Sequence, residues 1–100
     1  MAQSDVIEKV EITINKPKKW AVMIHNDDIT PMEFVVALLT EVFRHNTSTA
    51  TELMLAIHNE GKAAAGVYPY EIAEQKHAEA IMTVKLNARM LKISLEEQDA

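Results

Sequence analysis

The chain has 100 residues, 48% of them hydrophobic, enough to build one compact domain and too few for two. Asp and Glu number 15 against 10 Lys and Arg, a net charge of -5, which argues against nucleic acid as a partner because phosphate-backbone binding is driven by Lys and Arg. Cysteine is absent, no apolar run approaches the ~20 residues of a membrane span, and the polar opening Met1-Ala2-Gln3-Ser4-Asp5 has no signal-peptide core, so a soluble cytoplasmic protein without a membrane partner is expected.

Val10, Ile12 and Ile14 alternate with Glu11, Thr13 and Asn15, the period of a half-buried strand, before the run Lys16-Pro17-Lys18-Lys19 interrupts them. This opening reads as a short strand or an arm. Trp20 to Ile24 is nearly all apolar, the profile of a central strand covered on both faces. An acidic turn, Asn26-Asp27-Asp28, follows it.

Thr30-Pro31-Met32-Glu33 predicts a helix start in which Thr30 caps, Pro31 takes the first helical position and Glu33 closes a capping box. The helix is expected from Pro31 to about Phe43, with Phe34, Val35, Leu38, Leu39 and Val42 on one apolar face. His45-Asn46-Thr47-Ser48 breaks it, and Thr49-Ala50-Thr51-Glu52 offers a second capping box for a helix that Gly61 ends in the left-handed conformation. Ala63 to Tyr68 predicts a second strand, with Gly66 marking a close approach. Pro69 then opens a third helix. From Ile81 to Asn87 helix and strand periods fit equally well, and Met90, Leu91, Ile93 and Leu95 predict a final strand before the acidic tail Glu96-Glu97-Gln98-Asp99-Ala100.

The acidic turn is the first candidate site. Asn26, Asp27 or Asp28, and His58 would supply an amide oxygen, a carboxylate and an imidazole nitrogen to a primary ammonium, which has three donors and one charge. The plain alternative is that the two aspartates make turn bonds while His58 complements a helix dipole. His25, Asp27, Asp28 and His58 also have the chemistry of divalent-metal ligands, but strand alternation turns His25 away from Asn26 and no HExxH-type spacing fixes a set, so no metal is expected. Nor is a catalytic residue expected: there is no nucleophile-elbow motif and no phosphate loop, and adjacent aspartates such as Asp27 and Asp28 point apart. Met32, Val35, Met54, Ile57 and Leu91 form an apolar set, which helical spacing alone assigns to the core as readily as to a pocket.

Asn26-Asp27-Asp28-Ile29-Thr30-Pro31-Met32-Glu33-Phe34-Val35, then Leu53-Met54-Leu55-Ala56-Ile57-His58 with Gly61-Lys62, then Gly66-Val67 and Glu71-Ile72-Ala73-Glu74 with Lys76, resemble the ClpS family, adaptors of the bacterial N-degron pathway. The resemblance runs from about Trp20 to Glu96, dividing the chain into an arm (1–19), an adaptor domain (20–96) and an acidic tail (97–100). It implies an α/β (α+β) fold of three strands and three helices in the order β-α-α-β-α-β, like the C-terminal domain of the ribosomal stalk protein. It also assigns Ile81 to Asn87 to the end of the third helix.

By the same resemblance the protein is a monomeric adaptor without a cofactor. It would grip the first residue of a substrate, Phe, Tyr, Trp or Leu, and hand it to the N-terminal domain of a ClpA- or ClpC-type AAA+ unfoldase. Asn26, Asp27, Asp28 and His58 would surround the free α-amino group, and Thr30, Met32, Val35, Met54, Ile57 and Leu91 would line the side-chain pocket, with Met32 a gate against β-branched residues. Glu71 and Lys76 would dock on the unfoldase. The sequence departs from the family at Ile29, where an aromatic residue is usual, at Pro69, which replaces a capping residue, and at His77 and Ile81. Two other classes are open: a module that docks on an unfoldase and alters its substrate choice without reading N-termini, and a metal-dependent or acid-base enzyme at the acidic turn.

Overall fold

A computed structural model describes residues 18–98. The apolar run around Val22 forms β1 (Lys19–His25), the central strand of an antiparallel sheet ordered β2-β1-β3, with β2 spanning Lys62–Pro69 and β3 spanning Ile93–Gln98. Three helices complete the order β-α-α-β-α-β: α1 (Met32–Glu41), α2 (Thr47–Glu60) and α3 (Tyr70–Leu86). The segment holding Val10, Ile12 and Ile14 lies outside the described residues.

Alternation along β1 sends Val22 and Ile24, both fully buried, into one core with Leu38 and Leu39 of α1, Ile57 of α2 and Ala80 and Val84 of α3. Each such Val, Leu or Ile contributes roughly 1.5 to 3 kcal/mol by leaving water. The expected cover on both faces of β1 is incomplete. Ala21 is buried, but Met23 and His25 on the same face are only half-buried. α3 reaches the core through the small residues Ala73 and Ala80, and Lys76 Nζ donates to the Val42 carbonyl at 2.9 Å, tying α3 to the end of α1.

Between Val22 and Met23 the β1–β2 register shifts, leaving Ala65 without a partner in the register. His45 Nε2 donates to its carbonyl and ties the α1–α2 connection to β2. Gly66 marks the close approach expected of it, since the Tyr68 ring occupies the space a Cβ would need.

Several sequence expectations are corrected at element ends. Thr30 does not cap α1: the helix begins at Met32 with Pro31 in extended conformation before it and no side-chain cap, which leaves Thr30 one residue outside the cap position, where its hydroxyl donates to Asp27. α1 ends at Glu41, short of Phe43. α2 begins at Thr47, capped by Asn46, whose side chain accepts from the Thr49 amide at 2.8 Å, so the Thr49 capping box is not used. Met90 and Leu91 precede β3 rather than belonging to it, while Glu97 and Gln98, assigned to the tail, pair with Trp20 and Lys19 of β1.

Candidate functional site

Strand β1 ends at His25, and the next residues must reverse direction to enter α1. Asp27 closes that turn with both carboxylate oxygens: Oδ1 accepts from the Ile29 amide at 2.9 Å and Oδ2 from the Thr30 hydroxyl at 2.8 Å. The Ile29 amide, and after it the Thr30 hydroxyl, hold the Asp27 pKa below the ordinary carboxylate value, so the turn carries a fixed negative charge at neutral pH. Asp28, beside it, is exposed.

Backbone bonds on both sides fix the turn's position. The Asn26 amide donates to the Gly61 carbonyl at 2.7 Å and the His25 amide to the Lys92 carbonyl at 3.0 Å. The first bond brings the turn to the end of α2, where His58 occupies the last turn and Gly61, at φ 94°, terminates the helix. The second brings it to the chain entering β3, beside Leu91.

A cleft of about 300 Å³ opens between these elements. It is lined by Asn26, Asp27, Asp28, Thr30, Met32, Val35, Met54, Ile57, His58 and Leu91, every residue that the sequence reading assigned to the amine site and the side-chain pocket. Val35, Ile57 and Leu91 are buried members of the core cluster, so the cleft floor is continuous with the hydrophobic core. Met32, also in the lining, is 45% exposed. The polar groups lie on the turn and, through His58, at the end of α2, and the apolar groups on the helices and at Leu91.

His25 and Pro31 also line the cleft and were not assigned to it from the sequence; Ile29, which the resemblance puts at the pocket rim, lines it too. Strand alternation had turned His25 away; its position as the last residue of β1, next to the turn, is the signal that placed it here. His25 Nε2 is within 2.8 Å of Ser94 Oγ, and burial, followed by Lys92 and Lys62, lowers its pKa against an opposing pull from Glu96. Ile29, at the position where an aromatic residue is usual, is 87% exposed. Among the described residues no three His, Cys, Asp or Glu side chains are grouped to hold a metal ion.

Glu71 and Lys76 lie on α3, outside the cleft. Glu71 is exposed along a shallow groove with Ile72, Glu74 and Gln75, whereas the Lys76 ammonium is half-buried against Val42 and 3.9 Å from Glu79. Of the two residues expected to dock, Lys76 thus already has an internal partner.

The family described as "ATP-dependent Clp protease adaptor protein ClpS" matches residues 15–94. The ATP-dependent Clp protease adapter protein ClpS of Shewanella piezotolerans is 45% identical over 92 residues, covering 92% of this chain and 90% of its own. The adapter of the same name from Vibrio atlanticus is 43% identical over 94 residues, covering 94% of this chain and 89% of its own. Among solved structures, Agrobacterium tumefaciens ClpS2 bound to L-phenylalaninamide superposes with a TM-score of 0.79 at 37% identity, covering 83% of this chain and 100% of that one. With the fold order and the match along nearly its whole length in agreement, the chain belongs to the ClpS family of Clp protease adaptors.

Proposed function

We propose that the cleft holds the first residue of a protein substrate, taking its α-ammonium at the Asn26, Asp27, Asp28 and His58 end and a bulky hydrophobic side chain, Phe, Tyr, Trp or Leu, over Val35, Ile57 and Leu91. The observation that carries this reading is the division of one small cleft into an acceptor-rich turn with a lowered carboxylate pKa and an apolar floor. Its volume lies at the small end of the ~300 to 1,000 Å³ typical of ligand sites, which suits one residue rather than a long segment. The phenylalanine amide bound by the similar Agrobacterium protein has the same two ends, a free amine and an aromatic side chain.

An α-amino group has a pKa of about 7.7 to 8.0, so near neutrality it is mostly charged and complements the turn. Burying an aromatic side chain of ~150 to 250 Å² at ~25 cal/mol/Å² contributes roughly 4 to 6 kcal/mol before association and ordering are subtracted. The net affinity is therefore moderate, suited to an adaptor that must release what it carries. Delivery would go to the N-terminal domain of a ClpA- or ClpC-type AAA+ unfoldase, with Glu71 and neighbouring α3 surface as the contact and Lys76 contributing mainly by anchoring that helix.

The test is fluorescence anisotropy with peptides beginning Phe, Leu, Ile and acetyl-Phe. Free Phe and Leu peptides should bind and acetyl-Phe should not, because acetylation removes the charge and leaves the acceptors short of donors. Equal binding of Phe and acetyl-Phe would sink the reading. Asp28→Ala and His58→Ala should each weaken Phe binding, and Met32→Ala should admit Ile.

A further inference from the structure

Leu91 forms one wall of the cleft, yet it lies in an irregular stretch between α3 and β3, where nothing in regular secondary structure sets its distance from α1. On its C-terminal side the chain is fixed, because the Lys92 carbonyl accepts from the His25 amide at 3.0 Å. On its N-terminal side Ala88 takes a left-handed φ of 56°, its amide donates to Lys85 and the Arg89 amide donates to the Val84 carbonyl at 2.9 Å, which ends α3 and turns the chain back. These bonds fix the backbone of the stretch to the sheet and to α3; its tie to α1, which carries Met32 and Val35, is made by side chains, the first being Leu91 itself in the core cluster it shares with Val35.

Arg89 adds a second link. Its guanidinium carbon lies 5.6 Å from the centre of the Phe34 ring, within the range of a cation–π contact, and Phe34 sits between Met32 and Val35 on the first turn of α1. Arg89 Nε is buried without a hydrogen-bond partner, so no hydrogen bond from that atom competes with the ring contact. Phe34 itself is partly buried against the core, which makes it a fixed point rather than a mobile one.

We propose that Arg89 is a positioning residue for substrate choice: by clamping the Leu91 stretch onto Phe34 it sets the width of the apolar cleft, and so how well a small branched first residue such as Leu competes with an aromatic one. The proposal rests on the cleft reading the first residue of a substrate. Contact energy falls off steeply over a gap of 0.5 to 1 Å. Releasing Leu91 from α1 therefore penalises Leu, which needs the wall close, more than Phe or Trp, which reach it after it relaxes.

The experiment measures the ratio of Leu-peptide to Phe-peptide affinity for the parent protein, Arg89→Ala, Arg89→Lys and Phe34→Leu, with thermal stability recorded for each. Arg89→Ala should shift the ratio against Leu by roughly threefold or more. Arg89→Lys, which keeps the charge and stem but loses the planar stack, should fall between it and the parent, and covers the case in which the alanine variant fails to fold. Combining Arg89→Ala with Phe34→Leu should move the ratio less than the sum of the two single changes, because both break one contact. A purely structural arginine would lower stability and both affinities together while leaving the ratio at the parent value, and that result overturns the proposal. A parent protein indifferent to the first residue overturns the cleft reading and this one with it; a discriminating parent with unshifted variants overturns the role of Arg89 alone.

Discussion

The Asn26 amide donates to the Gly61 carbonyl at 2.7 Å, so the residue that ends α2 also holds the turn that opens the cleft. Gly61 is at φ 94° with open space where a Cβ would stand, so substitution there is opposed by backbone conformation and not by collision. Gly61→Ala should cost about 1 to 2 kcal/mol. For a domain of this size that lowers Tm by on the order of 5 to 15 °C, readable by thermal denaturation. Because the Gly61 carbonyl anchors the turn, affinity for a free Phe peptide should fall as well. A large loss of stability with unchanged affinity would show that the turn keeps its place without this bond.

The Asp27 carboxylate receives the Ile29 amide and the Thr30 hydroxyl, and both lower its pKa. A carboxylate whose folded pKa is depressed contributes to stability above its ordinary value of about 3.9, and that contribution is lost as pH falls through the lower, folded value. Thr30→Val removes the second donor and keeps the first, so the Asp27 pKa should rise toward the ordinary value without reaching it. Carboxyl-carbon NMR across the acid range reads this directly. Under the proposed function Phe-peptide affinity should be level through neutrality and decline above about pH 8, where the α-ammonium loses its proton. A decline whose midpoint lies far from the peptide's own α-amine pKa would place the titration on the protein.

How much of this was legible depended on which side chains carried the burial. The heptad-like apolar face of α1 and the run of β1 are made of large residues, Val22, Ile24, Leu38 and Leu39, and both elements were readable. α3 buries Ala73, Ala80 and Val84 while Met82 and Leu86 stand 63% and 79% exposed, so its core stripe is small and its visible apolar residues face outward. Period alone could not assign Ile81 to Asn87 for that reason. The Thr30 capping box failed because Pro31 stays extended and the helix starts at Met32, one residue beyond the frame in which Thr30 would cap. The polar and apolar candidates were named from residue chemistry, and the resemblance joined them into one site; no local pattern brings Asp28 and His58 to one cleft, which depends on the Asn26–Gly61 bond.

His25 offers a second pH test. Burial first, then Lys92 and Lys62, lower its pKa, while Glu96, which pairs with Lys62 at 2.9 Å, raises it. With the folded pKa below the ordinary value of about 6.5, the unfolded chain takes the proton first. The stability His25 contributes is therefore present above that value and lost as pH falls below it through the folded pKa. Glu96→Gln removes the opposing charge and releases Lys62, so the His25 pKa should drop further in an NMR titration. A rise would mean that Lys62 moves away once unpaired and that its repulsion outweighed the attraction of Glu96.

Ala88 holds a left-handed φ of 56° at the end of α3, in a place where glycine is the ordinary choice. A residue with a Cβ costs roughly 1 to 2 kcal/mol in that conformation, and glycine's greater freedom in the unfolded chain takes back about 0.4 to 1. Ala88→Gly should therefore stabilise the protein by up to about 1.6 kcal/mol, a Tm increase of several degrees. The variant keeps the backbone bonds that aim Arg89 at Phe34, so the preference for Leu over Phe peptides should stay at the parent value while stability rises. A fall in Tm would show that glycine's unfolded-state freedom outweighs the relief at this turn. A shifted preference at higher Tm would show that the stiffness of residue 88, and not the ring contact alone, positions Leu91.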